Sequence, residues 1–394
     1  MQHAIDTRSI MLDFAQATGL SGTLPEPRRY LWTDAFAVCN FLELYRQTGE
    51  TSYLQAARRL VSQVHFVLGR YSDEDSRSGW ISGLGEQAGY QHPTAGGLRI
   101  GKPLLERSPE QALDERLEWD RDGQYFHYLT RWMQALTRMA AHTGEGDYQR
   151  WALELARTAH KGFTYTPVAG GPTRMYWKMS IDLSRPLVNS MGHHDPLDAL
   201  VTYMELRANS APYDISAADL DLEREIADCL AMCAGRSWAT DDPLGIGGLL
   251  VDVFRLAQIK AGFKLSPTVA LARLLADCEP GLQALVQSGQ LEHPAQYRLA
   301  FRELGLATGL EAIGRFRVLV DRYPARFSLE EEAAAQLERL GKFRYLAGAI
   351  KDFWLQPAHQ QVAAWRDHLD INRVMLVTSL APDAYLFAGP KAAH

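Results

Sequence analysis

The same turn is written twice in the first half of the chain. Thr48-Gly49-Glu50 is followed by Tyr53 and by Ala56-Ala57, and Thr143-Gly144-Glu145 by Tyr148 and Ala152. Each Thr-Gly separates two stretches of helical spacing. Ala35, Val38, Phe41, Leu42 and Tyr45 precede the first, and Leu54, Ala57, Leu60, Val61 and Val64 follow it. Tyr128, Trp132, Ala135, Leu136 and Met139 precede the second, and Trp151, Ala152, Leu155 and Ala159 follow it. Steps of three and four residues place these side chains on one helix face. Glycine supplies the left-handed residue that ends a helix, and so short a link makes the two helices antiparallel. A chain that repeats this hairpin is committed to helices. Thr308-Gly309 reads as a third, weaker copy.

The pattern continues more loosely. Residues 196–208 and 220–235 suit a third hairpin, 247–261 and 267–278 a fourth, and 295–307 and 311–320 a fifth. Helices are expected at 329–340, 344–355 and 357–369, without a clear choice of which two make a sixth hairpin. Residues 372–380 are apolar and fit helix or strand. The segments 71–117 and 164–194 are long loops with room for short extended pieces, and loops of that length usually carry function.

Composition removes several classes. The 394 residues are 46% hydrophobic and 22% charged, the balance of a globular protein. The net charge of −6 is spread along the chain and forms no basic stripe for nucleic acid. The first twenty residues carry Asp6, Arg8 and Asp13 and lack a signal-peptide core. No window offers about 18 uncharged apolar residues, so no membrane span is expected. Cys39, Cys229, Cys233 and Cys278 are too sparse for a disulfide framework. These features suit a cytoplasmic protein.

The hairpins joined by Thr-Gly-x-x-x-Tyr, with Trp-rich loops between them, resemble the six-hairpin glycosidase superfamily over about residues 28–380. The resemblance is sharpest in the first two hairpins. It implies an all-α fold, one domain shaped as an (α/α)6 toroid, with inner helices around a funnel whose entry loops build the site. It also implies carbohydrate chemistry: inverting hydrolases, unsaturated glucuronyl hydrolases and N-acylglucosamine-type epimerases use such barrels.

If each hairpin runs inner helix then outer helix, the loops entering the inner helices gather an unusual set of side chains. Tyr30, Trp32 and Asp34 enter the first. Glu118, Trp119, Asp120, Asp122, Tyr125 and His127 enter the second. Trp177, Lys178, Asn189, His193, His194 and Asp195 enter the third. Asp241 and Asp242, then His293, Tyr297 and Arg298, then Lys342, Arg344 and Tyr345 follow. Aromatic faces stack on sugar rings, and fixed polar groups read hydroxyls. Hydrolysis of a glycosidic bond needs one protonated and one ionised carboxyl group. Crowding of Glu118, Asp120 and Asp122 is the reason to expect one of them to serve as the acid, through like-charge repulsion and partial burial. Asp120 or Asp122 is the expected acid, with Asp34 its partner; alternatively Asp122 caps a helix starting at Gly123, and Asp34 the helix before it.

His127 and His194 offer a different chemistry, moving a proton off and onto a carbon beside a carbonyl. Adjacent His193 and His194 point different ways, so no metal is expected. The glycine-rich 79–102 segment lacks dinucleotide and P-loop spacings, and no cofactor is expected. It is expected to fold over the funnel mouth, with Trp80, Glu86, Tyr90, His92, Arg99 and Lys102 lining a pocket. Arg99 and Lys102 would then meet a carboxylate, sulfate or phosphate. Cys229 and Cys233 read as core thiols, and Asp241-Asp242-Pro243 lacks the fuller acidic pattern of isoprenoid cyclases. The first expectation is a glycoside hydrolase acting on a small oligosaccharide or glycoside. The alternatives are an epimerase or isomerase using paired histidines, or a non-catalytic carbohydrate-binding toroid. The oligomeric state is open.

Overall fold

A computed structural model describes residues 7–22, 26–168, 170–216, 221–262, 270–328 and 331–387. Internal contacts divide the chain into two compact units, Ala15–Ala234 and Met1–Phe14 together with Gly235–His394. A first helix, α1 (Thr7–Ala17), spans the boundary.

The first unit holds α2 (Leu31–Thr48), α3 (Thr51–Leu68), α4 (Phe126–Thr143), α5 (Gly146–Phe163), α6 (Asp195–Asn209) and α7 (Glu223–Cys233). Residues 31–44 of α2 are buried on every side, and α6 is almost as fully enclosed. By contrast, α3 and α5 bury one stripe each, such as Ala57, Leu60, Val61 and Val64. The even hydrophobicity of α2 and the amphipathic pattern of α3 thus sort inner from outer helices.

The two Thr-Gly-Glu turns are built alike, which explains the repeat. Thr48 Oγ1 donates to the Leu44 carbonyl at 2.8 Å and accepts the Glu50 N–H at 3.0 Å. Thr143 Oγ1 donates to Met139 at 2.8 Å and accepts the Glu145 N–H at 3.2 Å. Gly49 and Gly144 are left-handed, at φ 71° and 76°. Arg58 of α3 pairs with Glu145 of the second turn at 2.6 Å, joining the hairpins.

Buried polar side chains on the inner helices answer one another. Thr130 Oγ1 donates to Asp198 and Arg138 pairs with Glu205, at sequence separations of 68 and 67. A nearly constant offset requires α4 and α6 to run parallel. Tyr30, which precedes α2, touches Tyr128 in the first turn of α4 through their hydroxyls at 2.6 Å. The N-terminal ends of α2, α4 and α6 therefore lie together.

Short strands occupy the long loops. β1 (Gln124–Tyr125), β4 (Lys178–Met179) and β5 (Pro186–Val188) form one antiparallel sheet; β2 (Thr164–Tyr165) and β3 (Arg174–Met175) form another. Tyr125 pairs with Lys178 across β1 and β4, which fixes Trp177 beside the start of α4.

The second unit contains α8 (Pro243–Gly262), α9 (Leu271–Gln287), α10 (Ala300–Arg322), α11 (Glu331–Gly341), α12 (Tyr345–Trp354) and α13 (Leu369–Leu380). Asp13 of α1 faces Arg373 of α13 at 3.7 Å. Here the loose reading needs correction. Thr308-Gly309 is no turn, because α10 runs straight through it, so the expected fifth hairpin is a short 3-10 turn and one long helix. Residues 357–369 break into the turns His359–Gln361 and Ala363–Arg366, and 372–380 are helical. The expected boundaries at 220, 267–269 and 329–330 lie outside the described residues.

The glycines of α10 serve contact rather than turning. A Cβ on Gly309 would stand 2.5 Å from the Gly247 carbonyl of α8, and one on Gly247 would stand 2.3 Å from the Gly305 carbonyl. These are backbone atoms, so a side chain would push the helices apart. Alanine in mid-helix normally stabilises by about 1 kcal/mol over glycine. Gly309→Ala is expected to reverse that sign and cost about 1–3 kcal/mol, read as a lower urea midpoint.

Candidate functional site

The gathered ends of α2, α4 and α6 carry a continuous aromatic wall. Trp119, 53% exposed, meets Trp177 edge-on at 5.0 Å between centroids. Trp177 packs on Tyr125 at 5.1 Å and lies nearly parallel to His127, 8° apart in plane, at 6.4 Å. His127 meets Tyr128 edge-on at 4.8 Å. Tyr128 leads to Tyr30, and the Lys102 ammonium sits 5.4 Å above the Tyr30 ring.

His127 is held by this wall and faces Asp195. Its Nδ1 is buried, makes no hydrogen bond, and lies 3.8 Å from Asp195 Oδ1. The side chain is 32% exposed, so the edge carrying Nε2 is the open one. Burial lowers the imidazole to about 4; Asp198 opposes the shift and Arg131 adds to it. Burial raises the Asp195 carboxyl to about 8, the charge of Asp198 adds, and Arg131 and the Gly192 N–H oppose. At neutral pH the imidazole is uncharged and most of Asp195 is protonated.

The surroundings explain how this pair persists. Asp195 begins α6, with Pro196 preset for the first helical turn. A Cβ on Gly192 would lie 2.3 Å from an Asp195 carboxyl oxygen, so only glycine lets that turn close over it. One turn further, Asp198 accepts Thr130 Oγ1 at 2.5 Å and Arg131 Nη2 at 2.8 Å, which fixes its charge between the helices.

Protonation of Asp195 has a stability consequence. In the unfolded chain it ionises near its ordinary 3.8, in the fold near about 8. A raised folded value means this contribution is intact below 3.8 and is lost progressively as pH rises to about 8. Asp195→Asn, isosteric and uncharged, is therefore expected to raise Tm by roughly 2–5 °C at pH 9 and to leave it near wild type at pH 4. Thermal scans of both proteins across that range check the sign.

The other expected site residues have the following partners and positions. Asp122 does not cap a helix at Gly123, because α4 starts at Phe126 with Tyr125 at its cap. Its oxygens are committed to Arg99 at 2.5 Å and to the N–H groups of Gly101 and Gly123, each at 3.0 Å. Arg99 also donates to the carbonyls of Arg70 and Val67 at 2.7 and 2.8 Å, so it is a loop staple rather than a substrate contact. Asp34 is buried in the first turn of α2, accepting the Tyr30 N–H at 2.9 Å and facing Arg29 at 3.3 Å. Trp32 packs on Phe36 in the core. Trp80 is buried against Gly89 and Arg70, and His92 pairs with Glu154 of outer helix α5. Asp120 stays exposed, close enough to Lys102 to couple with it electrostatically. His194 is the residue before α6, its ring 4.7 Å from that of exposed His193.

Arg298, Tyr297 and Tyr345 are among the expected residues that belong to the second unit. Arg298 is buried, chelated by Glu303 at 2.7–3.2 Å and stacked 3.6 Å from Phe353, so no donor edge is left for a sugar. Tyr297 and Tyr345 are 72% and 61% exposed. Among the described residues no cluster of three or more metal-ligating side chains forms, and no helix is long and apolar enough to cross a membrane.

The partner role of Asp195 was not readable in the sequence. Asp-Pro before an apolar run signals a helix start, and nothing in one dimension ties it to His127. The Tyr30–Tyr128 contact and the Asp198–Arg131 pair are long-range in the same way.

The architecture is the all-α toroid class assembled from antiparallel helical hairpins. It is similar to the solved structure of cellobiose 2-epimerase from Spirochaeta thermophila DSM 6192, with a TM-score of 0.50 and 12% identity over 95% of this chain and 98% of that one. No protein-family model matches the chain, and a search of curated proteins finds no match.

Proposed function

We propose that the chain is a carbohydrate-active enzyme that isomerises or epimerises a reducing sugar by moving a proton at the carbon beside the carbonyl. The observation that carries this reading is the His127–Asp195 pair: an uncharged imidazole, its inner nitrogen toward a carboxyl group, its outer edge open against an aromatic wall. With Nδ1–H turned toward Asp195, the Nε2 lone pair faces outward. It takes the proton, the C–H electrons form the enediol double bond, and the carbonyl oxygen gains the negative charge. The charge of Asp198 favours the imidazolium that results. Delivery of a proton to the neighbouring carbon, with the hydroxyl proton on the deprotonated carbon passing to the former carbonyl oxygen, gives the ketose; delivery to the opposite face of the same carbon, which restores the carbonyl, gives the epimer. His194, at the entry to the adjacent helix, is the candidate for the second face. The toroid shared with a cellobiose 2-epimerase supports the same class.

Hydrolysis has weaker support. Of the acids expected to perform it, Asp34 and Asp122 are both tied to arginine and backbone donors, and Asp120 stays exposed. Asp195 remains as a carboxyl group protonated near neutrality, which is what a general acid requires. A screen of free aldoses and aryl glycosides separates the two. The proposal expects a new ketose or epimer by NMR and no aryl alcohol. Aryl alcohol release without isomer formation overturns it.

A further inference from the structure

Loop 99–104 threads between the start of α2 and the start of α4. The Leu31 N–H donates to Ile100, the Ile100 N–H to Gly123, and the Gly101 N–H to Asp122. Gly101 is left-handed at φ 88°, and a Cβ there would strike the Arg29 carbonyl at 2.2 Å. Lys102 thus hangs from a pinned backbone. Its neighbouring cations are consumed: Arg99 by Asp122 and two carbonyls, and Lys178 by Glu118 and two carbonyls. Among the described residues Lys102 has no carboxylate within ion-pair distance; its ammonium sits over the Tyr30 face.

From this placement we infer that the site takes a sugar bearing an anionic group at the end remote from the carbonyl, and that Lys102 is the residue that binds it. The inference rests on the proposed sugar chemistry for its orientation only. With the carbonyl end at His127, the far end of the substrate runs along Tyr128 and Tyr30 to the ammonium. A half-buried ammonium without a counter-charge in contact is costly, and an anion on the substrate relieves that cost with a charge-assisted hydrogen bond. Burial lowers the lysine pKa, and the charges of Asp120 and Asp122 act against this and favour the cation. The shared chemistry is a carboxylate or a phosphate on the terminal carbon.

Calorimetric titration of the full chain with glucose, glucuronate and glucose 6-phosphate tests this without requiring turnover. The expected result is that one acid binds at least about 10-fold more tightly than glucose. Glucuronate and the phosphate, compared directly, say which anion Lys102 prefers. Lys102→Met should erase the preference, and Lys102→Arg should retain most of it. Equal affinity for acid and neutral sugar, or a preference that survives Lys102→Met, overturns the inference. Selective binding without isomer formation from any of the three would instead count against the proposed reaction.

Discussion

His127→Gln is expected to lower kcat by roughly 10²–10⁴-fold, the range for losing a positioned general base, with little change in Tm. Glutamine keeps a polar side chain against the aromatic wall but cannot take the substrate proton. Steady-state rates and thermal scans on the same preparation check both halves. The pH profile adds a signature. As Asp195 ionises near about 8, it becomes a full acceptor for Nδ1–H and strengthens the base at Nε2. The expected kcat/KM climbs through that pH, and Asp195→Asn flattens the climb. Because the same ionisation weakens the fold, activity and stability should move in opposite directions there, a cost paid at many functional sites.

Asp122→Ala is expected to do the reverse, costing about 3–5 kcal/mol of stability by stranding the Arg99 guanidinium in a buried loop. Both side chains of the pair are less than a tenth exposed, and the carboxylate also holds Gly101 and Gly123. Denaturant titration should show the loss as a lower midpoint with m unchanged. Arg99→Met should lose less, since it leaves a carboxylate that still has two backbone donors. A large fall in kcat for Asp122→Asn, at unchanged midpoint, would mean that this carboxylate acts on substrate after all.

These two predictions divide residues that looked alike in the sequence. Asp34, Asp122 and Asp195 are all acids before or within the first turn of an apolar helix or its entry loop. Their roles diverge because of their partners: the nearby Arg29 for Asp34, the more distant Arg99 for Asp122, and His127, on another helix, for Asp195. Period and turn chemistry located Gly49, Gly144 and the first two hairpins closely, since those depend on residues within one turn. Thr308-Gly309 misled for the opposite reason: its glycine serves the α8–α10 contact, and a tight interhelical approach leaves no local signature. The Gly-rich 79–102 segment likewise splits by contact, with Trp80 and Arg99 sealed into the structure and Lys102 left at the aromatic wall.

The central claim is that a protein nitrogen removes a carbon-bound hydrogen and exchanges it with water. The direct measurement is turnover of a converted reducing sugar in D2O, followed by NMR at the carbon next to the carbonyl. Deuterium should appear there in the product and, more slowly, in recovered substrate, and His127→Gln should show neither. Product that carries no solvent deuterium, or incorporation that is unchanged in His127→Gln, would contradict the account.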